Sequence, residues 1–486
     1  MRAIPEILVG PYIIGFDTIG YYVPNVLTWL RDGASIWHLL AVAPLFYAIL
    51  MSVAAIGVPI VMALKVLPPL LHGLLGLAVF FYARKSLSWS CKKSLLVALV
   101  ATLYFVALRV SWDMLRNELG LIILFTALSL IEKLRGRWKN CVFLSAAMVL
   151  VVLSNSLVAI LMFAIVAVTI LSSYFNMRTI EMRRLTMVSI PAMLLFTVVV
   201  YANYFVSSSF PVSNGFPLKE SEGFMALFGF TSYPEMVANT LGFLLFAFLP
   251  LLPLVLLGVR DSRLSLQIKA WILWISLALF LTIISPNISI LILPYRWTLM
   301  LTYPFAFYAV ETITHFRLTM SKITVVLMLT SLTLGFTLLP NENPFPYYTL
   351  FPYYVPTSML QNTVPSRDFE DSVNAMQWLK SNMNDGEYLL AHDAFYGWAL
   401  LNLNSNQIIP IDYGNLSTMA KEAIQNGSIV QLYLIWWING SGWHGQPTVS
   451  SAFEEVYASG KIAVYKYAYG VYRNASNSNV LISIKS

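Results

Sequence analysis

Charged side chains are scarce in this chain. Asp, Glu, Lys and Arg make up 11% of its 486 residues, against about 25% in an ordinary soluble domain. That shortage excludes a disordered chain, a coiled coil and an ordinary cytosolic enzyme. Cysteine is nearly absent: Cys91 and Cys141 each sit beside a basic loop. A disulfide framework and a Cys-based metal centre are excluded with it. His38, His72, His315, His392 and His444 show no metal-ligand spacing. There is no phosphate-binding Gly-rich loop, no paired-Gly dinucleotide fingerprint, no His-Glu-x-x-His and no Gly-x-Ser-x-Gly elbow. The first 35 residues lack a basic head followed by an apolar core, so no cleavable signal peptide is expected.

Apolar residues make up 58% of the chain, with 13 Trp, 26 Tyr and 29 Phe, and mean hydropathy is +0.71. This is the composition of a multi-pass membrane protein. The net charge of +7 is unevenly spread. Residues 1–340 carry 23 Lys/Arg against 12 Asp/Glu, while 341–486 carry 7 against 11. A cationic excess in the membrane part follows from basic loops facing the cytoplasm. It needs no nucleic-acid partner.

Apolar runs fall at about 62–83, 94–110, 114–131, 140–153, 155–173, 186–206, 238–258, 269–285, 290–310 and 321–339. Basic loops lie at every second connection: Arg84 to Lys93, Lys133 to Lys139, Arg178 to Arg184, Arg260 to Lys269, and Arg317 with Lys322. The positive-inside rule then places 1–37, 109–118, 154–156, 207–237, 286–295 and 340–486 outside. Residues 38–61 are apolar too, but a single crossing there would invert the first basic loop. We read them as a re-entrant or interface-lying segment broken at Gly57 and Pro59. The fold class expected is mainly α, a polytopic helical bundle of about ten to eleven spans with a small extracytoplasmic α/β domain.

Four regions are expected: a first external loop over 1–37, the helical domain over 38–340, a Pro/Tyr-rich linker over 341–366 and the α/β domain over 367–486. Within that last domain DFEDSVNAMQWLKSNM reads as an amphipathic helix with Asp368 near its start. EYLLAH, NQIIPI, SIVQLYLIWWI and KIAVYKY read as strands. Sequons at Asn287, Asn415, Asn426, Asn439 and Asn474 all fall on the expected outside.

The polar residues of the outer face are few. In PEILVGPYIIGFDTIGYY, Asp17 lies between Gly15 and Gly20 and is followed by Tyr21 and Tyr22. A carboxylate there can take a proton from a hydroxyl or simply end a helix or turn. In RVSWDMLRNELG, Asp113 and Arg116 are spaced i, i+3, as are Arg109 and Trp112, with Glu118 two residues beyond Arg116. These charges are either surface ion pairs or contacts for a charged ligand. Arg296, in LPYRWTLMLTYPF, is the one basic residue between Lys269 and Arg317. It either snorkels to headgroups or holds a phosphate. Ser154-Asn155-Ser156 reads as a tight loop. The WWINGSGWHG stretch, with Trp443, can stack a sugar or form a packed edge. Ionisable residues otherwise avoid the centres of the runs.

At these clusters the sequence resembles the class C membrane glycosyltransferases, which include oligosaccharyltransferases, protein O-mannosyltransferases and aminoarabinose transferases. Members carry an Asp in the first external loop, followed by aromatics, as Asp17 is in GFDTIGYY. Several have a second acidic motif, matched by Asp113 in SWDMLRNELG. A late span often begins with an Arg and an aromatic, with a Pro some residues on, as Arg296, Trp297 and Pro304 do. The family has a complete span before its Asp loop, whereas 16 residues precede Asp17 here; a first helix upstream of the present start is one expectation.

The resemblance implies a hexosyltransferase that takes sugar from a polyprenyl-phosphate or dolichyl-phosphate carrier on the extracytoplasmic face of the cell membrane. Asp17 would act as base, Asp113 and Glu118 as orienting acids, and Arg296 and Arg116 as phosphate ligands. Tyr21, Tyr22 and Trp443 would contact sugar or acceptor. A divalent cation, Mg or Mn, would be held by Asp17 or Asp113 if at all. Partners would be membrane lipid, the lipid-linked donor, and a protein, lipid or glycan acceptor. The alternative is a transporter or lipid-handling membrane protein without transfer chemistry.

Overall fold

The computed structural model describes residues 1–131, 138–205, 232–261, 264–284, 294–315, 319–340, 354–411, 431–438 and 449–468. Trp443 and the five sequons lie outside the described residues. The chain divides into two compact units. The first comprises Met1–Gly10, Gly33–Leu339 and Tyr347–Met359; the second comprises Pro11–Asp32, Pro340–Pro346 and Leu360–Ser486.

The first unit is helical, as long apolar runs must be when water is excluded and each backbone group needs a partner within its own segment. Among the described residues three helices are long and apolar enough to cross a membrane: Ile60–Lys85, Ser156–Phe175 and Thr179–Asn203. Two bent pairs raise that to five. Shorter apolar helices cover Leu45–Ala55, Trp138–Ser154, Leu266–Leu281 and Leu327–Leu338.

The bends differ from the single runs expected at 94–110 and 238–258. Helices Cys91–Leu103 and Phe105–Asp113 meet at 60°, because Tyr104 between them is extended (φ −67°, ψ 135°). Its hydroxyl donates to the Ala247 carbonyl. Tyr233–Phe248 and Leu252–Val259 meet at 87°. Pro250 lies in that break and Pro253 in the first turn after it, and proline withholds the N–H that would carry a helix through.

The 38–61 stretch folds as short helices, Ile36–Ala41 and Leu45–Ala55, before Ile60–Lys85 begins. Eleven residues reach only about 17 Å, short of the ~30 Å hydrocarbon core. The second of these helices ends just before Gly57 and Pro59, where the break was expected. Caps set other boundaries. Ser90 accepts from the Lys93 amide at 3.3 Å. Asn155 accepts from the amides of Leu157 and Val158 at 3.0 and 3.1 Å, which makes Ser154-Asn155-Ser156 a tight helix-to-helix turn.

The second unit holds a five-stranded mixed sheet of order β2-β1-β3-β5-β4. Its strands are β1 (Glu387–His392), β2 (Ile408–Ile411), β3 (Gln431–Trp437), β4 (Phe453–Ser459) and β5 (Ile462–Tyr467). Strand β1 runs parallel to both β2 and β3, while β5 is antiparallel to β3 and β4. Helices Phe369–Asn382 and Asp393–Asn402 belong to the same unit. The expected strands correspond to β1, β2, β3 and β5. Strand β4 was not expected, since Glu454 and Glu455 face outward on this edge strand, and charge of that kind protects an edge.

Asp368 precedes the 369–382 helix without capping it by its side chain. Its carboxylate accepts instead from the Trp437 indole N–H at 2.9 Å. Asp371 pins the β4–β5 turn, accepting from the Ser459 hydroxyl at 2.9 Å. In that turn Gly460 has φ +50°, and a Cβ there would stand 2.0 Å from the nearer Asp371 carboxylate oxygen. Gly460→Ala is expected to lower the unfolding free energy of the full chain by about 1–2 kcal/mol from the left-handed backbone alone. Chemical denaturation in detergent reads this, and an unchanged midpoint would refute it.

Candidate functional site

Asp17 belongs to the second unit. It stands at the entrance of a π-helical turn, Thr18–Tyr22, and its side chain makes no cap hydrogen bond there. Turns of this wide type are rare and concentrate at functional sites. Asp17 is half-buried, as is Tyr21, whose ring lies 6.1 Å from that of Phe16. Tyr22 is buried in the unit, which leaves Tyr21 as the accessible aromatic of the pair.

A strap from 361–363 holds the loop. The Gly15 amide donates to the Gln361 carbonyl at 3.0 Å, and the Asn362 side-chain amide donates to the Ile13 carbonyl at 2.9 Å. Gln361, Asn362 and Thr363 are all at most 1% exposed, although they fall in the segment read as an extended linker. Nearby in this unit Tyr396 is pushed to a higher pKa by burial, with Arg31 acting against the shift. Its phenol thus keeps its proton at neutral pH and can donate.

The second acidic motif lies in the first unit. Helix Phe105–Asp113 ends there and Leu115–Ile131 starts after Met114. Arg109 and Asp113 are both buried and ion-paired one helical turn apart. The Arg109 guanidinium also donates through Nε to the Tyr354 carbonyl at 2.9 Å and lies 5.4 Å from the Trp112 ring centre. The carboxylate that sequence spacing set beside Arg116 is thus held by Arg109. Arg116 donates to the Val42 carbonyl at 2.5 Å and lies 5.6 Å from the Tyr47 ring centre. From the chain's first helix, Ala3–Leu8, Arg2 clasps the same region. It donates to the Ser111 carbonyl from Nε and Nη2 at 3.2 and 3.1 Å and to Glu6 at 2.9 Å.

Glu118 is wholly buried and pairs with His72 Nδ1 at 2.6 Å, while His72 Nε2 meets the Thr102 carbonyl at 2.7 Å. His72 lies in the middle of Ile60–Lys85, so ionisable residues do not all avoid the centres of the apolar runs. Arg296 sits half-buried on the short helix Pro294–Met300 of the first unit, next to the buried Trp297.

Sequence reasoning picked out Asp17, Asp113, Glu118, Arg116 and Arg296, but missed His72, which pairs with Glu118, the 361–363 strap, which holds the Asp17 loop, and Arg2, which binds the Ser111 carbonyl. The signals were present: Arg2 and Glu6 at i, i+4, a lone polar ring in an apolar run, and an amide-rich Gln-Asn-Thr in a tyrosine-rich stretch. Among the described residues no three His, Cys, Asp or Glu side chains gather as a metal site. The Asp113 carboxylate is engaged by Arg109.

No protein-family model and no curated protein sequence matches this chain. Solved structures do. The crystal structure of ArnT from Cupriavidus metallidurans bound to undecaprenyl phosphate is similar with a TM-score of 0.55 and 11% identity, over 95% of this chain and 96% of that one. The Archaeoglobus fulgidus oligosaccharyltransferase, in complex with Zn and sulfate, is similar with a TM-score of 0.50 and 11% identity, over 87% of this chain and 64% of that one. At such identity the likeness is one of fold. This chain shares the fold of those two proteins, a multi-pass helical membrane fold with a small C-terminal α/β domain.

Proposed function

We propose that this protein moves a sugar from a polyprenyl-phosphate donor to an acceptor hydroxyl or amide on the extracytoplasmic face of the cell membrane. The observation that carries the reading is Asp17: a half-buried carboxylate at the entrance of a π-turn, on a loop held at Ile13 and Gly15 by a buried strap. The fold likeness to ArnT and to an oligosaccharyltransferase supports the reaction class.

In this reading Asp17 takes the proton of the acceptor hydroxyl as its oxygen attacks the anomeric carbon. The carbon–oxygen bond to the carrier phosphate breaks on the opposite face, which inverts the centre. The phosphate leaves as an anion and needs positive charge more than a proton. Arg296 and Arg116 are assigned to it, since the guanidinium fork suits phosphate oxygens. Asp113 fixes Arg109 and the end of its helix. Glu118 is taken up by His72 and serves packing.

The test is incubation of the purified full chain with polyprenyl-phosphate hexose labelled in the sugar, without an ion gradient. Label leaves the carrier with the wild-type chain and stays on it with Asp17→Asn. One observation favours the transport alternative: the His72–Glu118 pair, because ionisable groups inside spans often mark ion paths. Gradient-dependent uptake into vesicles, with no loss of label from the carrier, would select that alternative.

A further inference from the structure

The Asp17 turn rests on a contact that leaves no room for a side chain. Gly397 lies in the middle of helix Asp393–Asn402, where glycine weakens a helix and needs a reason. A Cβ at this position would stand 1.8 Å from the Ile19 carbonyl oxygen and 2.7 Å from its carbon. The hydrogen that glycine carries in place of Cβ points at that oxygen, as in a Cα–H···O contact. Ile19 is the second residue of the π-turn. The N–H that π-helical pairing would offer its carbonyl belongs to the residue five places on. That residue is Pro24, which has none. The backbone of the turn therefore leans directly on the backbone of the helix.

The strap secures the same turn independently. Asn362 donates to the Ile13 carbonyl, and Thr363 donates to the Ala394 carbonyl at 2.6 Å, at the start of the Gly397 helix. The methyl of Thr363 stands 3.7 Å from where a Gly20 Cβ would lie. Residues 13 to 20 are thus gripped at both ends by tail segments more than 340 positions away in sequence.

We propose that Gly397 and Asn362 are positioning residues, through which the C-terminal domain sets the direction of the Asp17 carboxylate. The C-terminal domain is then part of the proton-transfer apparatus. This rests on the reading of Asp17 as the base. Misplacement of a reacting group by about 1 Å costs on the order of a hundredfold in rate, whereas binding of the lipid donor does not pass through this contact.

The experiment is steady-state transfer by the full chain in detergent, comparing wild type, Gly397→Ala and Asn362→Asp. The second variant keeps the side-chain shape and the acceptor of the Val364 amide but sets a carboxyl oxygen against the Ile13 carbonyl in place of the donated hydrogen bond, so it serves if the first fails to fold. The expected result is a kcat lower by on the order of a hundredfold for Gly397→Ala and by a smaller factor for Asn362→Asp, each with the donor KM within about twofold. A merely structural role would lower the active fraction of enzyme and leave turnover per folded molecule unchanged.

Geometry is read separately with Gly20→Cys and Thr363→Cys in a chain carrying Cys91→Ser and Cys141→Ser. A Cβ at residue 20 would stand 3.7 Å from the Thr363 methyl, so the two side chains meet in van der Waals contact. The bond should form when Gly397 is present and fail with Gly397→Ala. Wild-type kcat in both Gly397→Ala and Asn362→Asp, or a disulfide that forms regardless of residue 397, overturns the positioning role. Activity retained by Asp17→Asn overturns the base assignment instead, and the disulfide result then still reports on the seat.

Discussion

Asp17→Asn should slow sugar transfer by about 10^2- to 10^4-fold, the usual contribution of a positioned general base. In barrier terms that is about 2.7–5.5 kcal/mol. Asparagine matches the carboxylate in shape but cannot accept the hydroxyl proton. The loss should therefore fall on kcat, with donor KM nearly constant, as for an interaction made only in the transition state. The π-turn should survive, because asparagine keeps the size and shape of the side chain at its entrance. Asp17→Glu should recover part of the rate. It restores the base but moves it by a methylene from a loop fixed at Gly15 and Ile13. Single-turnover transfer with labelled donor separates chemistry from release, and a rate within threefold of wild type would refute the assignment.

The second large effect is on stability. His72→Ala should cost about 3–5 kcal/mol, because it leaves the Glu118 carboxyl buried without its partner. Both ring nitrogens of His72 face oxygens, and the Thr102 carbonyl can only accept. The nitrogen facing it therefore carries a hydrogen. The other nitrogen either donates to a charged Glu118 or accepts from a protonated one. In both cases the pair as a whole is neutral, which suits its place among the helices of the first unit.

One carboxylate oxygen of Glu118 has no hydrogen-bond partner, so the pair is imperfectly compensated. Replacing both members by apolar residues, His72→Phe with Glu118→Met, should restore most of the lost stability, as buried ion pairs often tolerate. Unfolding midpoints of wild type, His72→Phe, Glu118→Met and the double variant in one detergent form the thermodynamic cycle. Equal stability of His72→Ala and wild type would show that the pair is not sealed from water.

The sequence announced this chemistry unevenly. Asp17 was legible because a carboxylate in an apolar, Gly- and Tyr-rich stretch is locally anomalous. Strands β1, β2, β3 and β5 were legible because β-branched and aromatic residues cluster over short runs. Strand β4 was hidden by Glu454 and Glu455, which suit an edge but break the apolar pattern. Helix 393–402 was hidden by its nearly continuous apolar character, which masks any 3.6-residue period. The bends at Tyr104 and at Pro250 and Pro253 also escaped, since hydropathy averages over a run and does not register a change of direction.

By itself, then, the sequence determined the solvent and the elements. A shortage of charge with long apolar runs dictates membrane helices, and short β-rich runs dictate the small α/β domain. These are local consequences of burial and backbone satisfaction, repeated along the chain. The partners were decided only by tertiary structure. Arg109 met the Tyr354 carbonyl across 245 positions, His72 took Glu118 across 46 positions, and Gly397 and Asn362 came to hold the loop of Asp17. A buried polar group needs one complementary partner at about 3 Å, and any of several distant residues could chemically supply it. Only the packing of the folded chain chooses which one does.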